Sequence, residues 1–218
     1  MLDDSQWSHK AWMSQIDADL LERVILRQGR ATPAPLRVLE WGAGRSTLYF
    51  TALLQAQGIH HHWVTLEYDQ AFFNETLAPK LAGRPNCQVH RPDAGHAVEG
   101  GPLDPARSSL TCVTFNRGKL LPYLAGHEAD RQADLDDYVN FPATLGTPFD
   151  FILVDGRKRR RCLLAAADLL APGGLAMLHD AYRTYYQCAF TRYASQRMLG
   201  EILWIGSNAA TNFIQWIA

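Results

Sequence analysis

Apolar residues recur along this chain in two registers, one helical and one extended. Between Lys10 and Gly29, Trp12, Ile16, Leu20, Leu21, Val24 and Ile25 fall three or four residues apart, the spacing of a helix with one apolar face. Gly29 and the Pro33/Pro35 pair close that helix. Leu36–Glu40 then reads as a buried strand, residues 46–57 as a helix ending at Gly58, WVTLEYD (63–69) as a second strand ending in acids, and residues 70–81 as a helix. CQVHR (87–91) is a third, short strand that runs into Pro92-Asp93-Ala94-Gly95. FDFILVDG (149–156) is a strongly apolar fourth strand, a helix over 162–170 stops at Pro172-Gly173-Gly174, and LAMLHD (175–180) is a fifth strand. Strands that alternate with helices, and that are too apolar to keep one face in water, predict a parallel sheet covered on both sides. The expected fold class is α/β, doubly wound and Rossmann-like.

Two segments depart from this rhythm. EILWIG (201–206) and NFIQWIA (212–218) are β-rich runs close enough to pair as an antiparallel hairpin at the sheet edge. Residues 96–147 are rich in Gly, Pro, Asp and Arg and long for a connection in such a fold. Leu120, Leu121, Tyr123, Leu124, Tyr138, Val139 and Phe141 give that stretch enough apolar surface to form a lid, closing together with residues 1–30.

Length and composition narrow the function. With 218 residues, 47% of them hydrophobic, and a formal net charge of -1, the chain is expected to form one domain over 1–218 with one well-filled core. No apolar run reaches membrane-spanning length and the N-terminus MLDDSQWSHK is polar and acidic, so a cytoplasmic location is expected. Cys87, Cys112, Cys162 and Cys188 form no C-x-x-C pair, which points to reduced thiols rather than a zinc or dithiol site. The near-neutral balance argues against a general nucleic-acid binder. The basic run Arg157 to Arg161 is short and reads as a solvated helix start. His60-His61-His62 lacks a matched carboxylate, and neighbouring side chains on a strand point to opposite faces, so no metal is expected.

The chemistry concentrates in VLEWGAGRSTLYF (38–50). Gly42 and Gly44 form a tight turn between the first strand and its helix, where the backbone can approach a ligand and the helix start offers unpaired N–H groups. A turn that merely needs glycine would look the same. Acids, however, close four strands: Glu40, Glu67 (25 positions after Gly42), Asp93 just beyond the third, and Asp155. A carboxylate at the end of the second strand is placed to accept both hydroxyls of a ribose.

These residues resemble the class I S-adenosylmethionine-dependent methyltransferases. Glu40-Trp41-Gly42-Ala43-Gly44 is similar to that family's first motif and extends through Ser46-Thr47. Glu67, Asp93 and Asp155 match its strand-terminal acids, and Pro172-Gly173-Gly174 the turn before its fifth strand. The resemblance implies a mainly parallel seven-stranded sheet with a C-terminal antiparallel hairpin. It also implies S-adenosylmethionine as cofactor, held by Glu40, Gly42, Gly44, Ser46, Thr47, Glu67, Asp93, Ala94 and Asp155. Dinucleotide oxidoreductases share the glycine turn and the acid, but here the third fingerprint glycine is Thr47.

Every displacement on carbon beside the sulfonium needs positioning, sometimes proton removal, and exclusion of water. Asp155, Arg157, His179, Asp180, Tyr182 and Tyr186 are the residues expected around the reacting centre, with Asn140 as the polar member of the aromatic lid. His179 can serve as a base near neutral pH or as a hydrogen-bonded strand end. Methyl transfer to a small molecule of secondary metabolism is the primary expectation. The chain is also similar in size and outline to bacterial azetidine-2-carboxylate synthases, in which the cofactor's own amine closes a ring and methylthioadenosine leaves. A third reading is a catalytically silent cofactor-fold subunit. Trp204 and Trp216 would give it, or a homodimer, a contact surface, and they serve equally well as core.

Overall fold

The computed structural model describes residues 8–33, 35–117 and 132–217. Helix α1 (Gln15–Ala31) starts where Ser14 Oγ accepts the N–H of Asp17 at 3.2 Å. It precedes strand β1 (Leu36–Trp41), helix α2 (Arg45–Ala56) and strand β2 (His61–Glu67). Helix α3 (Gln70–Phe72) continues through a π-helical turn (Phe73–Leu77) into Ala78–Leu81. Three strands follow, β3 (Cys87–Arg91), β4 (Ala97–Glu99) and β5 (Ser109–Thr114), and then α4 (Asp136–Asn140), which runs on as a 3-10 turn, Phe141–Leu145. The remainder is β6 (Phe149–Val154), α5 (Arg159–Leu169), β7 (Leu170–Leu178), α6 (Gln187–Phe190), β8 (Ser195–Leu199), β9 (Leu203–Ser207) and α7 (Ile214–Ile217).

Among the described residues, nine strands join one sheet in the order β4-β3-β5-β2-β1-β6-β7-β9-β8. The six from β3 to β7 in that order are parallel, and the edge pairings β3–β4, β7–β9 and β9–β8 are antiparallel. The doubly wound α/β fold is therefore present, with nine strands in place of the expected seven. On one face, Phe151 and Leu153 pack with Leu21, Ile25 and Phe50 of α1 and α2; on the other, Ile152 and Val154 pack with Cys162, Leu163 and Ala166 of α5. The period-two alternation of β6 thus feeds two apolar layers, which is why that strand carries hydrophobic residues at every position.

Several boundaries and strands differ from the expectation, and β4, β5 and β8 are absent from it. SLTCVT, within the stretch read as a lid, is β5, and it lies between β2 and β3. Its mixed polar and apolar sequence hides a strand whose Leu110, Cys112 and Val113 are buried. The edge hairpin pairs β9 with β8, so the partner of EILWIG precedes it, and Ile214–Ile217 is helical rather than the second strand. Pro172-Gly173-Gly174 lies inside β7, at an irregularity in its pairing with β6, rather than ahead of the strand. The first helix is a core element: Ala18, Leu21, Val24 and Ile25 are buried against the sheet, and the buried Asp17 carboxylate accepts the N–H groups of Glu201 at 2.9 Å and Ile202 at 3.3 Å. Leu120, Leu121, Tyr123 and Leu124 lie outside the described residues. Trp204 is core, stacked on Phe190 at 4.7 Å between centroids.

Candidate active site

Neighbouring strands β1 and β6 lead to helices on opposite faces, so the crevice at their carboxyl ends is the place where an open α/β sheet binds ligands. Two glycines form its floor. Gly42 has φ +102°, and a Cβ on it would meet Gly156 N at 2.5 Å. The turn after β1 and the turn after β6 touch backbone to backbone, and hydrogen bonds pin them: Gly42 N–H to Leu66 O at 2.9 Å and Asp155 N–H to Trp41 O at 2.9 Å. Gly44 differs. Its φ is -176°, which any residue adopts, and a Cβ there meets nothing within 4 Å. It borders a cavity of about 860 Å³ lined also by Ser46, Glu67, Asp155 and Tyr186, a volume within the ~300–1,000 Å³ typical of small-molecule sites.

Glu40 faces away from this cavity. Its buried carboxylate accepts hydrogen bonds from Ser46 Oγ, from Thr47 Oγ1 at 2.6 Å, from Thr65 Oγ1 at 2.9 Å and from Trp63 Nε1 at 3.0 Å. Thr47 Oγ1 in turn accepts the N–H of Gly44 at 3.0 Å. The Glu-x-Gly-x-Gly-x-Ser-Thr pattern is therefore a suture: Glu40 and Thr47 hold the glycine turn and the start of α2, while Ser46 also reaches the cavity wall. Glu40 has no room to face a cofactor amine, which corrects its expected role. Burial pushes its carboxyl up to about 7 against the pull of those four donors.

Glu67 lies where the ribose acid was expected, at the end of β2 and in the cavity wall. Oε1 accepts the N–H of Asp69 at 2.9 Å. Burial raises its carboxyl to about 8, helped by the nearby Asp69 charge. A raised carboxyl binds more protons folded than unfolded between about 4.5 and 8, so its contribution to stability is full below that window and is lost as pH rises through it. Glu67→Gln mimics the neutral form. The variant is therefore expected to gain stability relative to the wild type as pH rises from 5 to 8.5, by an amount on the order of a few kcal/mol. Denaturant titrations of both proteins across that range check this; a constant difference would show that Glu67 titrates normally.

At the end of β6, Asp155 Oδ1 meets His179 Nδ1 at 2.9 Å and Arg159 at 3.1 Å. Arg159 also donates to the carbonyls of Asp155, Gly156 and His179 and to Asp180 Oδ2 at 2.6 Å. One guanidinium thus ties the ends of β6 and β7 together and holds Asp180 at φ 57°. Burial opposes protonation of His179, but the Asp155 and Asp180 charges outweigh it and raise its pKa. Burial likewise works against the Asp180 charge, and Arg159 more than offsets it, lowering that pKa.

Asp155, Arg157, Asp180 and Tyr186 line the cavity, whereas His179 is buried behind Asp155. Four other expected residues stand elsewhere. Asp93 is engaged by Arg117 at 2.9 Å and the N–H of Asn116 at 2.9 Å, and neither it nor Ala94 borders the cavity. The interposed strand β5 carries that turn one position outward in the sheet. Asn140 is exposed at the end of α4, and Tyr182 is 60% exposed beside Arg183; neither lines the cavity. Sequence reasoning missed Gly156, Arg159 and Arg183. Asp-Gly-Arg after the fourth strand was the available signal for the first of these. Among the described residues no group of three or more His, Cys, Asp or Glu could hold a metal, and no helix is long and apolar enough to cross a membrane.

No family model matches the chain, and comparison with curated proteins finds no match. Solved structures do match, and they show the fold: it is that of the Rossmann-like methyltransferases. A methyltransferase-like protein from Silicibacter pomeroyi superposes with a TM-score of 0.58 at 18% identity, over 91% of this chain and 89% of that one. The CMeT domain structure of the citrinin polyketide synthase gives 0.50 at 13% identity, over 90% of this chain and 52% of that one. At such identities the likeness is one of fold.

Proposed function

We propose that this protein is an S-adenosylmethionine-dependent enzyme that acts on a small molecule, with methyl transfer in a secondary-metabolism setting as its reaction. One observation carries the reading: the Gly42–Gly44 turn and Glu67 border the same cavity at the switch point of a methyltransferase-type sheet. Gly44 leaves room for the cofactor, because the side chain that glycine lacks would stand in open space in the cavity wall. Glu67 would hold the ribose hydroxyls, and the first turn of α2, with Ser46 at the wall, offers N–H groups to the aminoacyl end.

Bound there, S-adenosylmethionine supplies a methyl carbon activated by the adjacent sulfonium. The chain supplies alignment and a proton acceptor. Asp155 is the carboxylate at the cavity nearest the paired turns; His179 and Arg159 fix its Oδ1. Asp155 is the group we assign to take a proton from a nucleophile, since its carboxylate lines the cavity. His179 orients that carboxylate from behind. Tyr186, whose hydroxyl meets Tyr185 at 3.1 Å, walls the far side. The ring-closing alternative gives the amine a tyrosine hydroxyl or Asn140 as its partner; Asn140 is exposed away from the cavity, whereas Tyr68, Tyr185 and Tyr186 border it.

Calorimetry with S-adenosylhomocysteine tests the cofactor. The wild type should bind, and Gly44→Val should lose binding at least a hundredfold with an unchanged melting temperature, since its Cβ stands in open space at the cavity wall and the side chain fills ligand space. Normal binding by the folded variant would remove the turn from the site. Mass spectrometry after incubation with S-adenosylmethionine and acceptor pools then identifies the reaction: S-adenosylhomocysteine for methyl transfer, methylthioadenosine for cyclisation, no product for a silent subunit.

A further inference from the structure

Charge is sorted along the carboxyl edge of the sheet. Glu67, Asp69 and Glu75 belong to the β2 side of the cavity. Arg45, Arg157 and Arg183 follow β1, β6 and β7, on the other side. Lys80, exposed on α3, stands on the acidic side, and Asp155 and Asp180 stand on the basic side, where Arg159 pairs with both. The three arginines share an electrostatic peculiarity. Arg45 lies over the Trp12 ring at 5.0 Å. Arg157 donates to Tyr68 Oη at 3.4 Å, and Arg183 to the hydroxyls of Tyr182 and Tyr185 at 3.4 and 3.3 Å. Every partner is neutral, and none of the ion pairs among the described residues includes these three. Arg159, by contrast, is matched by Asp155 and Asp180.

Arg45 is exposed, but Arg157 and Arg183 are half-buried, and although Arg183 feels the nearby Asp180 charge, guanidinium groups held by hydroxyls keep donors free for an anion. Arginine's planar fork matches the oxygens of carboxylates and phosphates, and lysine would not reproduce that geometry. If Glu67 fixes the nucleoside half of the cofactor over β2, the acceptor is left the β6–β7 side of the crevice, where Arg157 and Arg183 stand with the ring of Tyr185. We propose that this side is a subsite for the oxyanion group of the substrate, and that the enzyme's acceptor is a small organic anion, a carboxylic acid or phosphate ester with an aromatic or apolar body. The aromatic walls favour such a body over a bare ion. This deepens the cofactor reading and rests on it for the placement of the two halves.

The test uses matched probes on the full chain loaded with S-adenosylhomocysteine. Benzoate, 4-hydroxybenzoate and phenyl phosphate are compared with benzamide, 4-hydroxybenzamide and phenol by saturation-transfer NMR and calorimetry. The anions should bind at least tenfold tighter than their neutral partners, and the benzoate and phosphate arms separate the two oxyanion classes. Arg157→Gln/Arg183→Gln should abolish that preference, the double lysine variant should restore part of it, and S-adenosylhomocysteine affinity should stay within about twofold. Equal binding of anions and neutrals by the wild type would overturn the subsite. So would variants that lose S-adenosylhomocysteine while still binding methylthioadenosine, because the arginines would then serve the cofactor's own carboxylate. A wild type that binds the anions selectively but not S-adenosylhomocysteine would sustain the anion site and sink the cofactor reading instead.

Discussion

Gly42→Ala should be the most damaging single-atom addition in this protein, lowering stability by roughly 3–5 kcal/mol, at the extreme of single substitutions. Two costs combine. At φ +102° an L side chain is strained whatever the space, which costs of order 1–3 kcal/mol by itself. The new Cβ would also stand 2.5 Å from Gly156 N, 2.6 Å from Gly156 Cα and 2.8 Å from Asp155 C. Those are backbone atoms, and they cannot give way cheaply. Parallel pairing of Trp41 with Val154 and the 2.9 Å bond from Asp155 N–H to Trp41 O fix the separation of the two turns. Urea unfolding measures the loss; a change below about 1 kcal/mol would mean that the two turns part easily. Together with the folded but non-binding Gly44→Val, this result would separate the glycine that builds the crevice from the glycine that leaves it open.

Glu67→Ala should weaken S-adenosylhomocysteine binding by two to three orders of magnitude, with only a small effect on folding. A carboxylate that accepts two hydroxyls makes two charge-assisted hydrogen bonds, each worth about 1.5–3 kcal/mol. Lone pairs of the buried carboxylate are unsatisfied except by the N–H groups of Tyr68 and Asp69, so the hydroxyls would complete its shell. Removing the carboxylate also removes the burial cost of its charge, which offsets the packing lost with the side chain in the apo fold. Binding should therefore become nearly independent of pH in the variant, whereas the wild type tightens as pH rises toward about 8 and Glu67 ionises. Calorimetry at three pH values decides the matter. Unchanged affinity would place the ribose elsewhere.

The site was legible in part because some of its chemistry is local. The glycine turn, the start of α2 and the acid closing β2 follow from residues a few positions apart, and each stands where the sequence placed it. Glu40 shows the limit. A strand-terminal acid beside a glycine turn looks like a ligand, yet its partners Trp63 and Thr65 are 23 and 25 residues away in the chain. Only the pairing of β1 with β2 brings them to it. Asp93 shows the same limit at larger scale, since the strand before it was recognised and its place in the sheet was not. Arg159 read as part of a solvated basic run, but the turn after β6 directs its guanidinium onto five oxygens at the ends of two strands.

Hydrophobic periodicity and glycine placement, taken alone, determined the alternating α/β architecture, the tight turn after the first strand and the acid after the second. Such features are set by backbone sterics and by which face of a short segment is apolar. The tertiary structure decided the strand order, including the insertion of β5 between β2 and β3, the partner of the edge strand, and which carboxylates bond within the fold and which face the cavity. The reason is physical. A strand's period specifies its faces but not its neighbours, and a buried carboxylate takes its role from whichever donors the long-range pairing brings within reach.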